Sequence, residues 1–204
     1  MRRAIALLLC LLAFLPVLTA CGGGTPVTEE EILPIAEALI EKSVLVNDIF
    51  LGAGVPTSGI AFGEYYYADE AWEEEHDIHS VEDMLRRVKA VYTDAIYNVL
   101  YLETITKDGK TPPDYQNRST PAEGILVHKR RDGWYDSSVT REFLYDTMRM
   151  TESTATTARV TLTVRITVAT EDGPTTQERQ LGIPLVLTDS GWRCDKLTCI
   201  AYDS

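Results

Sequence analysis

Lysine and arginine are missing from Ser43 through Leu85, a stretch that holds Asp48, Glu64, Asp69, Glu70, Glu73, Glu74, Glu75, Asp77, Glu82 and Asp83. The chain as a whole carries 31 acidic against 19 basic residues. Phosphate backbones are held by basic surfaces, so this balance argues against nucleic acid as a partner and against direct attraction to anionic lipid headgroups. The acidic stretch reads in two ways, as a solvated face that keeps the protein soluble or as a dock for a basic partner or divalent cations. Histidine is scarce. His76 and His79, with Glu73 or Asp77, offer donor types that zinc accepts, but His79 directly precedes a serine suited to start a helix. The segment therefore reads as a loop with two solvent-exposed histidines, and neither a metal nor a cofactor is expected. No glycine-rich phosphate loop occurs, since Gly52-Ala53-Gly54 leads into Val55-Pro56 rather than a helix. A nucleophile-elbow signature is missing as well. After residue 20 no apolar run is long enough to span a bilayer, which takes about 20 residues.

What the chain does have is a distinctive start. Arg2 and Arg3 precede an apolar run from Ala4 to Ala20, broken only by Thr19 near its end, and Leu18-Thr19-Ala20-Cys21 is followed by three glycines. This resembles a bacterial lipoprotein signal peptide with its lipobox. The resemblance implies cleavage before Cys21, a diacylglyceryl group on its thiol, and an extracytoplasmic protein held at the cell membrane by lipid. The rival readings fit less well. A membrane-spanning helix would be short and interrupted by Pro16, a simple secretory peptide does not call for the cysteine, and the paired arginines lack the rest of a twin-arginine motif. The expected layout is a signal peptide over 1–20, a lipidated tether over 21–27 and one domain over 28–204. Loss of Arg2 and Arg3 with the signal leaves 17 basic residues against 31 acidic ones.

Cysteine use agrees with export. Cys10 leaves with the signal and Cys21 takes lipid, so Cys194 and Cys199 remain as a disulfide candidate in an oxidising compartment. Their odd spacing would put them on opposite faces of a straight strand, so a bond requires a turn through Asp195 to Thr198.

Patterning predicts helices first and strands afterwards. Thr28-Glu29-Glu30-Glu31 reads as a capping box opening a helix to about Phe50, with Ile32, Ile35, Leu39, Val46 and Phe50 as its apolar stripe. Pro34 offers a later start, in which case the box would be accidental. Tyr65 to Tyr67 reads as a short strand and Ser80 as a second N-cap. Met84 to Leu100 carries helical spacing that Thr93-Asp94 can split in two. Lys107 to Pro121 reads as a polar loop. Ile125 to Lys129 and Phe143 to Thr151 are weaker strand signals. The strong one is Ala158 to Thr170, where Ala158, Val160, Leu162, Val164, Ile166 and Val168 alternate with Arg159, Thr161, Thr163, Arg165 and Thr167. Leu181 to Leu187 alternates again, with Pro184 favouring an edge or a bulge. Asp189-Ser190-Gly191 turns the chain into a last strand at Trp192. The order argues for an α+β fold.

A long first helix, further helices and a meander ending in Asp189-Ser190-Gly191-Trp192-Arg193 resemble nuclear transport factor 2-like domains. That resemblance implies helices packed on a curved antiparallel sheet, cone-like and often with a pocket. Ser80-Val81-Glu82-Asp83-Met84-Leu85, followed by Val91-Tyr92-Thr93, also resembles a bacterial family of cell-wall D,L-endopeptidase inhibitors, which implies a non-enzymatic protein that restrains a wall hydrolase. On this reading the partner is an envelope protein or cell-wall component, and Trp72, Glu73, Glu74, Glu75, Trp134 and Tyr135 are the candidate contacts. Tyrosine and tryptophan often anchor partners. No catalytic residue is selected. The alternative is a small-molecule enzyme of the isomerase or cyclase kind, for which His128, Asp114, Tyr115 and Asp136 supply suitable groups without a spacing that singles them out.

Overall fold

A computed structural model describes residues 24–106, 113–118, 124–129, 139–170 and 172–199. The signal segment, Cys21, Trp134, Tyr135 and Asp136 lie outside these described residues. The first helix, α1 (Glu29–Phe50), is opened by the capping box expected from its sequence. Thr28 N–H donates to Glu31 Oε2 at 2.9 Å, and Glu31 N–H donates to Thr28 Oγ1 at 3.3 Å. These bonds hold the Glu31 carboxyl below its usual pKa. Pro34 lies inside the helix without ending it. Its cost is offset by the buried face of α1, where Ile32, Ala36, Ile40 and Ile49 are almost fully removed from water.

Two strands follow, β1 (Thr57–Phe62) and β2 (Tyr65–Ala68), and then α2 (Glu70–His76). Next come α3 (Val81–Val91), capped by Ser80, and α4 (Asp94–Tyr101), with Thr93 at its start, so the helical run does split at Thr93. A π-helical turn over Leu102–Thr106 closes the helical region. The remaining strands are β3 (Tyr115–Asn117), β4 (Ile125–His128), β5 (Val139–Ser153), β6 (Thr157–Val168), β7 (Thr175–Thr188) and β8 (Gly191–Cys194). The α+β class is thus as expected, with helices packed against open antiparallel sheets. The strands divide between two sheets, ordered β1-β2-β4-β3 and β5-β6-β7-β8. The second is the expected meander; the first includes β3, which lies inside the stretch read from sequence as loop.

The core forms where α1 and α3 cover the inner face of the meander. Along β6, Val160, Leu162, Val164 and Ile166 are fully buried, which is the predicted phase. On the opposite face Thr163 departs from it at 9 % exposure, because Gln180 donates to its hydroxyl at 2.9 Å and covers it. Thr163 N–H donates to Thr147 Oγ1 at 2.8 Å, since β5 bulges between Leu144 and Arg149 and the threonine hydroxyl replaces the missing backbone acceptor. Pro184 sits within β7, between β6 and β8. Its carbonyl accepts Asp195 N–H at 2.9 Å, one position beyond the last β7–β8 pair, Leu185 with Cys194. In an antiparallel ladder a residue's N and C=O point the same way, so the nitrogen without a proton faces the side where pairing runs out.

Candidate functional site

The acidic segment read as loop is the helix α2. Asp69 Oδ1 accepts Trp72 N–H at 3.1 Å and caps its start. Its end is set by Asp77, at φ 50°, a left-handed conformation that aspartate tolerates better than most residues. The Arg87 guanidinium donates to the carbonyls of His76 and Asp77, neutralising the negative end of the helix.

This helix separates the four candidates it carries. Glu74 and Glu75 are exposed, and Trp72 is half-buried, its ring edge-on to His76 at 4.8 Å. Glu73 is corrected as a partner contact: it is 4 % exposed and points inward. Its Oε1 accepts Ile125 N–H at 2.7 Å, and its Oε2 lies 4.0 Å from Arg118 Nη2. Burial raises its pKa against the lowering effects of the Ile125 bond and Arg118. Gly124 makes room for this arrangement, since a Cβ there would lie 2.4 Å from Arg118 Nη2. The neighbouring tyrosines are engaged as well. Tyr65 is buried and donates to the Pro113 carbonyl at 3.1 Å, Lys129 lies over the Tyr66 ring, and Arg118 lies over that of Tyr67.

The concave surface that the sequence reading missed runs beside the outer face of α1. Glu37, Glu41, Val44 and Asp48 recur at spacings of four, three and four, so they share one side of the helix. Two clefts flank this stripe and share Val44 and Asp48. One, of about 530 Å³, lies toward α2 and includes Glu41, Leu45, Trp72 and His76. The other, of about 290 Å³, lies toward β5 and includes Asn47, Val139, Arg141, Phe143, Thr198 and Cys199. Beside the stripe, burial pushes the Tyr145 hydroxyl up to about 12, with Glu41 and Glu37 adding to the effect.

Behind the smaller cleft is a closed polar cluster. Asn47 donates to Thr198 Oγ1 at 2.8 Å and accepts the Tyr92 hydroxyl at 2.7 Å. Thr198 Oγ1 donates to Ser43 Oγ at 2.5 Å, and Ser43 passes a bond on to the Ile40 carbonyl at 2.6 Å. Burial pushes the Tyr92 hydroxyl up to about 12. These groups satisfy one another and so pin the chain after β8 to α1 and α3. At the mouth stands Asp48, exposed on one side yet crowded enough that desolvation raises its pKa, partly countered by Arg141. Crowding lowers the pKa of Arg141 in turn, and Asp48 opposes that shift.

Cys194 and Cys199 are both free thiols, so the expected disulfide is not formed. Cys194 sits in β8 opposite Leu185 with no exposure, whereas Thr198 enters the polar cluster and Cys199 faces the smaller cleft. The turn needed to bring the thiols together is taken up by Thr198. Burial holds the Cys194 thiol up at about 12 and raises Cys199 as well.

Of the groups considered for catalysis, Tyr115 is buried and its hydroxyl donates to the Ile49 carbonyl. His128 packs edge-on against Tyr65 at 5.2 Å, and its backbone N–H donates to the Asp114 carbonyl at 2.8 Å. Among the described residues no three His, Cys, Asp or Glu side chains gather as metal ligands, and no helix is long and apolar enough to cross a membrane. The chain matches no protein-family model and no curated protein.

Proposed function

We propose that this is a non-enzymatic binding protein, lipid-anchored through Cys21 at an extracytoplasmic membrane surface, that engages an envelope protein or cell-wall component through the larger cleft beside α1. The observation that carries this reading is the half-buried Trp72 ring in a cleft of about 530 Å³ whose rim includes Glu41 and Asp48. An aromatic with one free face, set among apolar Val44 and Leu45 and ringed by carboxylates, suits a partner that presents an apolar anchor among basic residues. A basic cell-wall hydrolase held in check is one partner of that chemistry, in keeping with the resemblance to D,L-endopeptidase inhibitors. The likeness to nuclear transport factor 2-like domains belongs to the same proposal.

The test is capture of envelope proteins on the full chain, followed by kinetics with the captured partner. Trp72→Ala should raise the off-rate. Glu41→Gln with Glu74→Gln and Glu75→Gln should lower the on-rate and its salt dependence, because exposed charges steer encounter more than they hold the complex. Cys21→Ala should move the protein out of the detergent phase in a partitioning assay. Binding indifferent to salt and to Trp72 would overturn the docking face, and unchanged partitioning would overturn the anchor.

A further inference from the structure

A third cleft, of about 450 Å³, lies between α1 and α3 and is lined by Glu41, Lys42, Leu45, Arg87, Ala90 and Val91. Helical spacing puts these residues there. Leu45 follows Glu41 and Lys42 by four and three positions, and Ala90 and Val91 follow Arg87 by three and four, so each set shares one side of its helix. Val91 is buried and Leu45 half-buried, while Ala90 is exposed and fills little of the space beside them. The charge of this cleft differs from that of its neighbours. The Trp72 cleft holds Glu41 and Asp48 without lysine or arginine, and the smaller cleft sets Asp48 against Arg141. Here Lys42 and Arg87 outnumber Glu41, in a chain with 31 acidic and 19 basic residues. The two cations are not equivalent. Arg87 is spent on the His76 and Asp77 carbonyls and contributes only its field. Lys42, the one basic residue of α1, makes no hydrogen bond or ion pair among the described residues.

We infer that the cleft between α1 and α3 binds a straight-chain aliphatic carboxylate, a fatty acid, with its chain along Leu45, Ala90 and Val91 and its head group on the Lys42 ammonium. The lining selects this chemistry by what it offers. It has no hydroxyl, amide or aromatic side chain to meet a sugar or a planar ring, only aliphatic surface and charge. A ligand suited to it is apolar along its body and polar at one end. The excess of basic over acidic lining makes that end an anion, and the stem of Lys42 can lie along the chain while its ammonium reaches the head group in water. A volume of about 450 Å³ is within the range of ligand pockets. The site adjoins the Trp72 cleft through Glu41 and Leu45 but favours the opposite charge, and it stands without the proposed function.

The experiment is calorimetric titration of the full chain with hexanoate, octanoate, decanoate, decanol and decyltrimethylammonium, each below its micelle concentration. Decanoate should bind. Each methylene added from hexanoate upward should tighten binding by up to about fourfold while the chain lies in the cleft. Decanol should bind about fivefold more weakly than decanoate, the upper worth of an exposed ion pair, and the cationic probe more weakly still. Lys42→Gln should bring decanoate down to the level of decanol. Ala90→Leu should abolish binding by filling the cleft, with the melting temperature unchanged, because the position is exposed and leucine is a good helix former. Glu41→Gln should tighten decanoate binding, the opposite of its expected effect on a basic partner, and Trp72→Ala should leave it intact. Those two variants separate this site from the docking face. Failure of decanoate to bind, binding no tighter than that of decanol, or binding that survives Ala90→Leu in the folded variant would overturn the inference.

Discussion

Glu73 accepts the backbone N–H of Ile125 across 2.7 Å, so a carboxylate from the acidic helix α2 closes the first position of β4 in the middle of a sheet. A residue in the most acidic run of the chain is thereby structural, while its neighbours Glu74 and Glu75 remain exposed.

Removing this acceptor leaves a buried N–H without a partner. Glu73→Ala should therefore cost about 1–3 kcal/mol, and Glu73→Gln, which keeps an acceptor oxygen, should cost less. The pH dependence has a definite sign. Burial raises the Glu73 pKa above its ordinary 4.5, so the folded chain binds this proton more tightly than the unfolded chain. The group's contribution to stability is greatest below that ordinary value and declines as pH rises through the folded one. Urea unfolding of wild type and Glu73→Gln from acid to neutral pH should show this slope in the wild type and lose it in the variant.

The phase of β6 sets a second expectation. Val164→Asp puts a charge at a position with no exposure and should unfold the domain, since burying an unpaired carboxylate costs several kcal/mol out of a typical stability of about 5–15 kcal/mol. Thr161→Asp, outward and opposite Arg149, should change stability by less than about 1 kcal/mol. Thr163→Asp should fall between them, because Thr163 is covered by Gln180. Melting temperatures of the three variants check the order.

The polar cluster around Tyr92 makes an alkaline prediction. Its hydroxyl is held at about 12 by burial, above the ordinary 10. The fold therefore favours the protonated phenol, and stability from this group is lost as pH rises from the ordinary value through the folded one. Tyr145, also at about 12, acts in the same direction. Ultraviolet titration should show Tyr92 and Tyr145 among the late-ionising tyrosines, with their ionisation coinciding with unfolding by circular dichroism. Tyr92→Phe should cost about 1–3 kcal/mol by stranding Asn47 and Thr198.

Free thiols at Cys194 and Cys199 should label in sequence. Alkylation followed by peptide mapping should modify Cys199 first and Cys194 only on unfolding, because Cys194 is without exposure and its thiol is held at about 12. Recovery of a 194–199 cross-linked peptide from native protein would contradict the geometry found here.

Local signals account for the elements that sequence reading located. The capping box at Thr28, the N-cap at Ser80, the break at Thr93 and the alternation of β6 each involve neighbours within a few positions, and each is present in the fold. Helix α2 escaped because it turns only a part-buried tryptophan and a carboxylate inward, so no apolar stripe marks it. Strand β3 escaped because three polar or aromatic residues acquire their strand state from distant partners. Asn117, for example, accepts the Val81 N–H at 2.7 Å from the start of α3. The stripe Glu37, Glu41, Val44 and Asp48 could be read as a solvent face, and only the placement of β5 and α2 beside it makes clefts. The division of the strands into two sheets depends on pairings such as Tyr66 with Val127, which no local pattern encodes.

The entry of the chain into the domain has a consequence for its standing height. Val27 N–H donates to the Thr154 carbonyl at 3.1 Å, which fixes the start of α1 beside the β5–β6 turn. Gly24 lies against Ala155 in that turn, three positions after Cys21. With lipid on Cys21, the β5–β6 turn becomes the foot of the domain and α1 its mast, since 22 residues at about 1.5 Å each extend roughly 33 Å. Asp48, in the last turn, would then be carried several screening lengths from its attachment point, where headgroup charge is felt over only about 8 Å. On the proposed anchoring, the length of one helix would hold the proposed docking face clear of headgroup charge.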